Sequence, residues 1–288
     1  MSDLTDELRG LGLDPDLVAD RVRQALEEDK PGEDVTSAAT LEPREHAWAD
    51  LVARGGGVVA GLPVAELVFR STVLDVEVKR HAADGDRVTR GDVLMSVYGT
   101  VPTLLTAERT ALNFLCHLSG VATATARWVD VLAGTRARVR DTRKTTPGLR
   151  ALEKYAVRCG GGVNHRATLS DQALVKDNHV LAAGSVVAAY DAVRARYPDL
   201  PVQVEVTTLD QLRQLLDAGA PSILLDNMST AQMAEAVRLT ADRATLEASG
   251  GLTLERGREV AETGVDFVAV GAITHSAPVL DVAMDLRG

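Results

Sequence analysis

The 288 residues are 45% hydrophobic and 25% charged, ordinary values for a folded chain that exclude disorder, collagen and a coiled coil. Aromatics at 3% and a net charge of −10 argue against base-stacking platforms, a nucleic-acid groove or an anionic membrane surface as partners. Two cysteines, Cys116 and Cys159, make no disulfide framework, and no CxxC or HxxxH pair marks structural zinc.

Residues 1–7 are acidic and lack the basic-then-apolar order of a secretion signal. A cytoplasmic protein is therefore expected. Asp14-Pro15 starts a helix whose apolar positions Leu17, Val18, Val22, Ala25 and Leu26 recur at helical spacing. Segment 55–69 is weakly polar but too short, and too broken by Glu66 and glycines, to span a bilayer. Strand-like runs are expected at 47–53, 74–80 and 93–98, with turns at Asp84-Gly85-Asp86 and Gly91-Asp92 read as turn chemistry only. One helix over 107–118 and a second reaching about 132 lead into the rest of the chain.

From there strands and helices alternate. Apolar strand-like runs occur at 137–141, 173–175, 202–206, 223–225, 244–248 and 267–270. Helical periods fill 149–159, 185–196, 209–218, 230–239 and 254–262, with Gly219 and Gly264 where helix C-caps belong. Six such units predict an α/β fold with a parallel sheet, closed or partly closed into a barrel.

Positive charge is concentrated in this half. Between Gly134 and Lys176, ten Lys or Arg stand against Asp141, Glu153 and Asp171. A basic island in an acidic chain points to a pocket for a small, multiply anionic ligand. The positions at the expected strand ends are Arg143-Lys144, Lys176, Glu205, Asp226, Ser249-Gly250-Gly251 and Gly271. Parallel barrels place active sites at that end.

Each position suits particular chemistry. Ser249-Gly250-Gly251 and Gly271-Ala272 fit the barrel phosphate site, where backbone N–H groups cradle an anion. Glu205 and Asp226 suit Mg²⁺ ligation, hydrogen bonds to ribose hydroxyls, or simple charge balance for nearby lysines. Arg143, Arg166 and Lys176 match a ligand with more than one carboxylate. His165 shares a loop with Arg166 after Gly160-Gly161-Gly162. Lys144 fits either a Schiff-base nucleophile or an electrostatic clamp on phosphate. Cys116 and Cys159 read as core thiols, and His179 as a residue that shapes the loop after Lys176. His275 reads as a cap or loop contact, while His46, His81 and His117 have no partner at ligand spacing.

At these residues the sequence resembles a known family. Residues 140–150 (Arg-Asp-Thr-Arg-Lys-Thr-Thr-Pro-Gly-Leu-Arg) with Lys154-Tyr155-Ala156 are similar to the signature of the quinolinate phosphoribosyltransferases. So are 108–113, Gly160-Gly161-Gly162-Val163-Asn164-His165-Arg166, Lys176-Asp177-Asn178-His179, Leu225-Asp226-Asn227-Met228, Ser249-Gly250-Gly251 and 271–276.

The resemblance implies an N-terminal α/β sandwich domain (1–118) and an incomplete parallel α/β barrel (119–275), with the tail 276–288 packing back on the first domain. It implies Mg²⁺-dependent joining of quinolinate to phosphoribosyl pyrophosphate, giving nicotinate mononucleotide, pyrophosphate and CO₂. Quinolinate would then be held by Arg109, Thr142, Arg143, His165, Arg166 and Lys176. Lys144, Glu205 and Asp226 would face phosphoribosyl pyrophosphate and the metal as catalytic groups. Ser249, Gly250, Gly251, Val270, Gly271 and Ala272 would take the 5′-phosphate. Arg109 would enter the neighbouring subunit's site in a homodimer. Two alternatives stand beside this: a molybdenum-transport-associated homologue, against which Lys176 speaks, and a Schiff-base barrel lyase using Lys144 or Lys176.

Overall fold

Residues 2–72 and 75–287 are described in the structure, a computed structural model. Chain order runs α1 (Ser2–Gly10), α2 (Pro15–Asp29), α3 (Val35–Thr40), β1 (His46–Ala53), β2 (Gly57–Val58), α4 (Leu62–Thr72), β3 (Glu77–Arg80) and β4 (Arg87–Val88). It continues through β5 (Val93–Thr100), α5 (Val101–Leu132), β6 (Arg138–Arg140), α6 (Arg150–Cys159), β7 (Ala173–Val175), α7 (Asp177–Ala183), α8 (Val186–Arg196) and β8 (Val202–Val206). The last elements are α9 (Leu209–Asp217), β9 (Ser222–Asp226), α10 (Thr230–Thr240), β10 (Thr245–Ser249), α11 (Leu254–Glu262), β11 (Phe267–Ala269), α12 (Ala272–His275) and β12 (Val282–Leu286). These form two units, one of residues 1–126, 146–161 and 274–288, the other of 127–145 and 162–273.

The first unit holds an antiparallel sheet in the order β12-β1-β5-β3. Strand β12 pairs with β1, matching Leu51 with Met284. On β1, Ala49 and Leu51 are buried with half-buried Asp50 between them, the period of two that a half-covered sheet requires, and past the register shift at Leu51/Val52 both Val52 and Ala53 are buried. Helix α2 begins as its residues dictate, with Asp14 accepting from the Asp16 N–H and Pro15 at the first turn. Its buried residues are Val18, Val22 and Leu26. The strand expected over 74–80 is β3, from Glu77; Leu74 lies outside the described residues.

Four readings need correction in this unit. The two helices expected over 107–132 are one continuous helix, α5. Gly120 does not break the helix because its missing side chain makes room for other backbone. A Cβ there would collide with the Pro278 carbonyl and sit 2.8 Å from Val279 Cα. Gly120→Ala is expected to destabilise the protein by about 1–3 kcal/mol, the usual cost of overpacking, read as a fall in the urea midpoint.

Asp84 is more than a turn residue. Its carboxylate accepts from the Gly61 and Leu62 N–H groups at the start of α4, and from the Tyr155 hydroxyl at 2.6 Å. Burial pushes its carboxyl above the usual range in spite of those donors. His117 does have a carboxylate partner, Glu153, at 2.9 Å and 36 residues along the chain. The cysteines are half-buried rather than core, and burial raises the Cys159 thiol to about 11.

The second unit is a six-stranded sheet in the order β6-β11-β10-β9-β8-β7, with every pairing parallel. Strands β6 and β7 stay at the edges, so the ring does not close and the barrel is incomplete. The six strands fall where the apolar runs predict them, and α11 matches the predicted 254–262. Gly219 and Gly264 take φ of +75° and +92° just past their helices, as C-terminal caps require. Along the strands Val139, Val204, Ile223, Leu225, Leu246 and Ala248 are buried. The alternate positions carry Arg140, Gln203, Glu205, Asp226, Glu247 and Ser249, so one face of this sheet is polar. No helix among the described residues is long and apolar enough to cross a membrane.

Candidate active site

Strand register explains why the sequence-predicted residues meet. Asp226 is paired with Ser249 across β9 and β10, Val175 with Val204 across β7 and β8, and Ala269 with Arg140 across β11 and β6. The residues that follow these pairs leave the sheet at one end. They are Thr142-Arg143-Lys144 after β6, Lys176 after β7, Gly250-Gly251 after β10 and Val270-Gly271 after β11. Thr142 Oγ1 accepts from the Lys144 N–H at 3.0 Å and fixes the turn that presents Lys144, which is exposed. His179 Nδ1 accepts the Lys176 N–H at 3.0 Å, shaping that loop as predicted.

Electrostatics divide the mouth into two ends. At the first, burial and then the neighbouring Arg143 depress the Arg166 guanidinium, opposed only in part by Asp171. Two like charges held together in a half-buried place form a receptor for an anion. At the second, burial and then Asp226 push the Glu205 carboxyl above its usual range, opposed by Lys176 and Lys144. Lys144, Lys176 and Asp226 are therefore all within electrostatic reach of Glu205.

The loop after Arg166 is tied down on Asp171. Against a burial penalty, the Ala167 and Thr168 N–H groups and the Thr168 hydroxyl hold its carboxyl at about 2. Arg166 Nη1 donates to the Gln172 carbonyl at 2.9 Å. An aspartate in an unfolded chain ionises near about 3.9, so this group stabilises the folded loop fully above about pH 4. That contribution is lost as pH falls toward 2. Amide exchange at Ala167 and Thr168 is accordingly expected to quicken between about pH 4 and 2, ahead of exchange in the strands.

In the loop after β10, Gly250 and Gly251 have φ of +95° and +55°. Asn227, itself at φ +52°, clasps two strand ends. Its N–H donates to the Ser249 carbonyl at 3.0 Å, and Nδ2 donates to Asp226 Oδ2 at 2.8 Å. Val270 is buried, with its N–H on the Arg140 carbonyl; Gly271 is half-buried and Ala272 exposed at the start of α12. Arg109 is exposed on α5, in the first unit.

Below the mouth lies a buried polar network that the sequence reading missed. Asp141 accepts from the His165 N–H at 2.7 Å and from Asn164 Nδ2 at 2.6 Å. His165 is buried, with Nδ1 against the Arg166 N–H at 2.7 Å and Nε2 against Gln203 Oε1 at 2.8 Å. Gln203 Nε2 and Arg140 Nη1 both reach Glu247 Oε2, at 3.3 and 2.8 Å. Arg140 also lies over the Phe267 ring at 4.1 Å. The available signal was Glu247 itself, since a glutamate between Leu246 and Ala248 in a buried strand needs a partner.

Parallel strands that deliver guanidiniums, ammoniums, carboxylates and a glycine loop to one end define an α/β-barrel enzyme acting on small anions. Comparison with known proteins is more specific. The family model "Quinolinate phosphoribosyl transferase, N-terminal domain" matches residues 34–119, and the C-terminal domain model matches 121–285. A nicotinate-nucleotide pyrophosphorylase (carboxylating) of Mycobacterium leprae is 50% identical over 277 residues, covering 94% of this chain and 98% of that protein. A protein of Bacillus subtilis named as a probable enzyme of the same kind is 41% identical, covering 83% of each. The crystal structure of NadC from Streptococcus pyogenes superposes with a TM-score of 0.91 at 43% identity, covering 96% of this chain and 97% of that one. The chain belongs to the quinolinate phosphoribosyltransferase family, whose members are phosphoribosyltransferase enzymes.

Proposed function

We propose that this protein transfers the phosphoribosyl group of phosphoribosyl pyrophosphate to quinolinate with loss of CO₂, releasing nicotinate mononucleotide and pyrophosphate for NAD biosynthesis in the cytoplasm. The supporting observation is the like-charged pair Arg143 and Arg166 at one end of the mouth, with the Glu205–Asp226 pair at the other. Two guanidiniums suit two carboxylates on one aromatic ring, with Lys176 adding a point charge. Thr142 and Arg109 complete the quinolinate set in this reading, Arg109 arriving from the partner subunit of a homodimer, while His165, buried with both ring nitrogens engaged, serves the set through the Arg166 backbone.

With quinolinate so held, its pyridine nitrogen displaces pyrophosphate at the anomeric carbon, and positioning supplies much of the rate. Lys144 neutralises charge that builds on the leaving pyrophosphate. The alkylated ring nitrogen then acts as an electron sink: the bond between the adjacent ring carbon and its carboxylate breaks to release CO₂, and the electron pair left on that carbon takes a proton from water to give nicotinate mononucleotide. Residues 249–251 and 270–272 bind the 5′-phosphate through backbone N–H groups.

Glu205 and Asp226 fit Mg²⁺. Two neighbouring carboxylates, with no cluster of three or more such ligands among the described residues, are what this ion accepts when phosphates and water fill its other positions. When bound it supplies charge neutralisation at the pyrophosphate. The test is one assay with quinolinate, phosphoribosyl pyrophosphate and Mg²⁺, following nicotinate mononucleotide and CO₂ together. Product dependent on all three additions is expected; none from folded protein overturns the proposal. Mixing Arg109→Ala and Lys144→Ala subunits is expected to restore activity, and failure in verified mixed dimers returns Arg109 to its own subunit.

A further inference from the structure

The network under the mouth has a direction. The Arg166 backbone N–H can only donate, so His165 Nδ1 accepts from it and carries no proton. The other ring nitrogen, Nε2, then bears the hydrogen and donates to Gln203 Oε1. With Oε1 as acceptor, the Gln203 amide presents Nε2 to Glu247 Oε2, which also receives Arg140 Nη1. The chain therefore runs one way, from the Arg166 backbone through a neutral imidazole and an amide to a buried ion pair. Gln203 is fully buried and Glu247 is 1% exposed, so these groups are shut off from solvent.

Glu247 Oε1 makes no hydrogen bond and lies 3.6 Å from His165 Nε2. A carboxylate that close would favour imidazolium if it became the ring's hydrogen-bond partner. Gln203 occupies that place with a neutral acceptor and holds Glu247 by its other oxygen. The charges facing His165 are Asp141 and Arg140 from β6 and its end, Glu247 from β10, and Arg166 beside it.

We propose that Gln203 and Glu247 are positioning residues that hold His165 as the neutral Nε2–H tautomer, so that its Nδ1 anchors the Arg166 backbone and sets that guanidinium against Arg143. Two guanidiniums repel, and their spacing must be enforced from beneath. A neutral ring does this without adding a third positive charge. The assignment rests on the reading of Arg143 and Arg166 as a clamp on one dianionic ligand, but its direct readout does not.

The experiment is ¹⁵N-histidine NMR on the full chain at neutral pH, with the His165 signals identified by their loss in His165→Asn. Nε2 protonated and Nδ1 bare is the expected pattern; an Nδ1–H tautomer or an imidazolium at His165 overturns the proposal. Gln203→Glu is expected to convert the ring to imidazolium. The uncharged Gln203→Met, which adds no second buried carboxylate, is expected to raise the quinolinate KM about tenfold and leave that of phosphoribosyl pyrophosphate within about twofold. Equal loss on both substrates marks a merely structural role and overturns the positioning assignment. Inactivity of the wild type on quinolinate with the Nε2–H pattern intact overturns the proposed reaction and leaves the tautomer assignment standing.

Discussion

Gly250→Ala is expected to lower kcat/KM for phosphoribosyl pyrophosphate by about two orders of magnitude, comparable to losing a preorganised backbone donor at an anion site. Its φ of +95° already disfavours any side chain. More decisive is what a Cβ would strike: the Asn227 side-chain oxygen, with Cγ at 2.5 Å and the Asn227 backbone nitrogen at 2.9 Å. Asn227 has no easy retreat, because its N–H is on Ser249 and its Nδ2 on Asp226. Alanine at 250 must therefore move the phosphate loop, the Asp226 carboxylate, or both. Gly251 is the internal control. Its φ is also positive, yet nothing lies within 4 Å of its Cβ position, so Gly251→Ala should cost only about 1–2 kcal/mol of backbone strain. Similar phosphoribosyl pyrophosphate kinetics for the two variants would sink the argument that Asn227 couples the loop to Asp226.

The same contrast, between what a residue does alone and what register makes it do, separates the legible from the hidden. Strand ends were legible because each βα unit ends an apolar run on one polar or glycine residue, as at Lys176, Glu205 and Asp226. Helix α4 was not, since Leu62, Pro63, Val64, Ala65, Val68 and Phe69 are all buried and leave no amphipathic period to read. The continuity of helix α5 was hidden too, since the close approach of Pro278 to Gly120 joins residues far apart in the chain. Among polar residues the hidden ones are those whose partners lie on other strands. Gln203 and Glu247 are 44 residues apart and meet because β8 and β10 flank β9. No spacing rule encodes that order. Polar pairs within one element or turn, such as Asp14 with the Asp16 N–H, were readable for the opposite reason.

Arg143→Ala is expected to raise the quinolinate KM by roughly 10- to 150-fold, the equivalent of about 1.5–3 kcal/mol for losing hydrogen bonds between a guanidinium and a carboxylate. Arg143 disfavours the charged form of the Arg166 guanidinium beside it. Removing one relieves its neighbour, which recovers part of the loss and keeps the effect inside that range. Arg143→Lys should recover little, because an ammonium lacks the fork that binds both oxygens of a carboxylate. The phosphoribosyl pyrophosphate KM should stay within about threefold, since Asn227 ties the strand end at Ser249 to Asp226. A clamp of two arginines on two carboxylates also fixes how substrates are ranked. The wild type should strongly prefer a pyridine with two carboxylates to one with a single carboxylate, and Arg143→Ala should shrink that preference by the same factor it costs in quinolinate binding. A preference left intact in the variant would mean that Arg143 does not hold the second carboxylate.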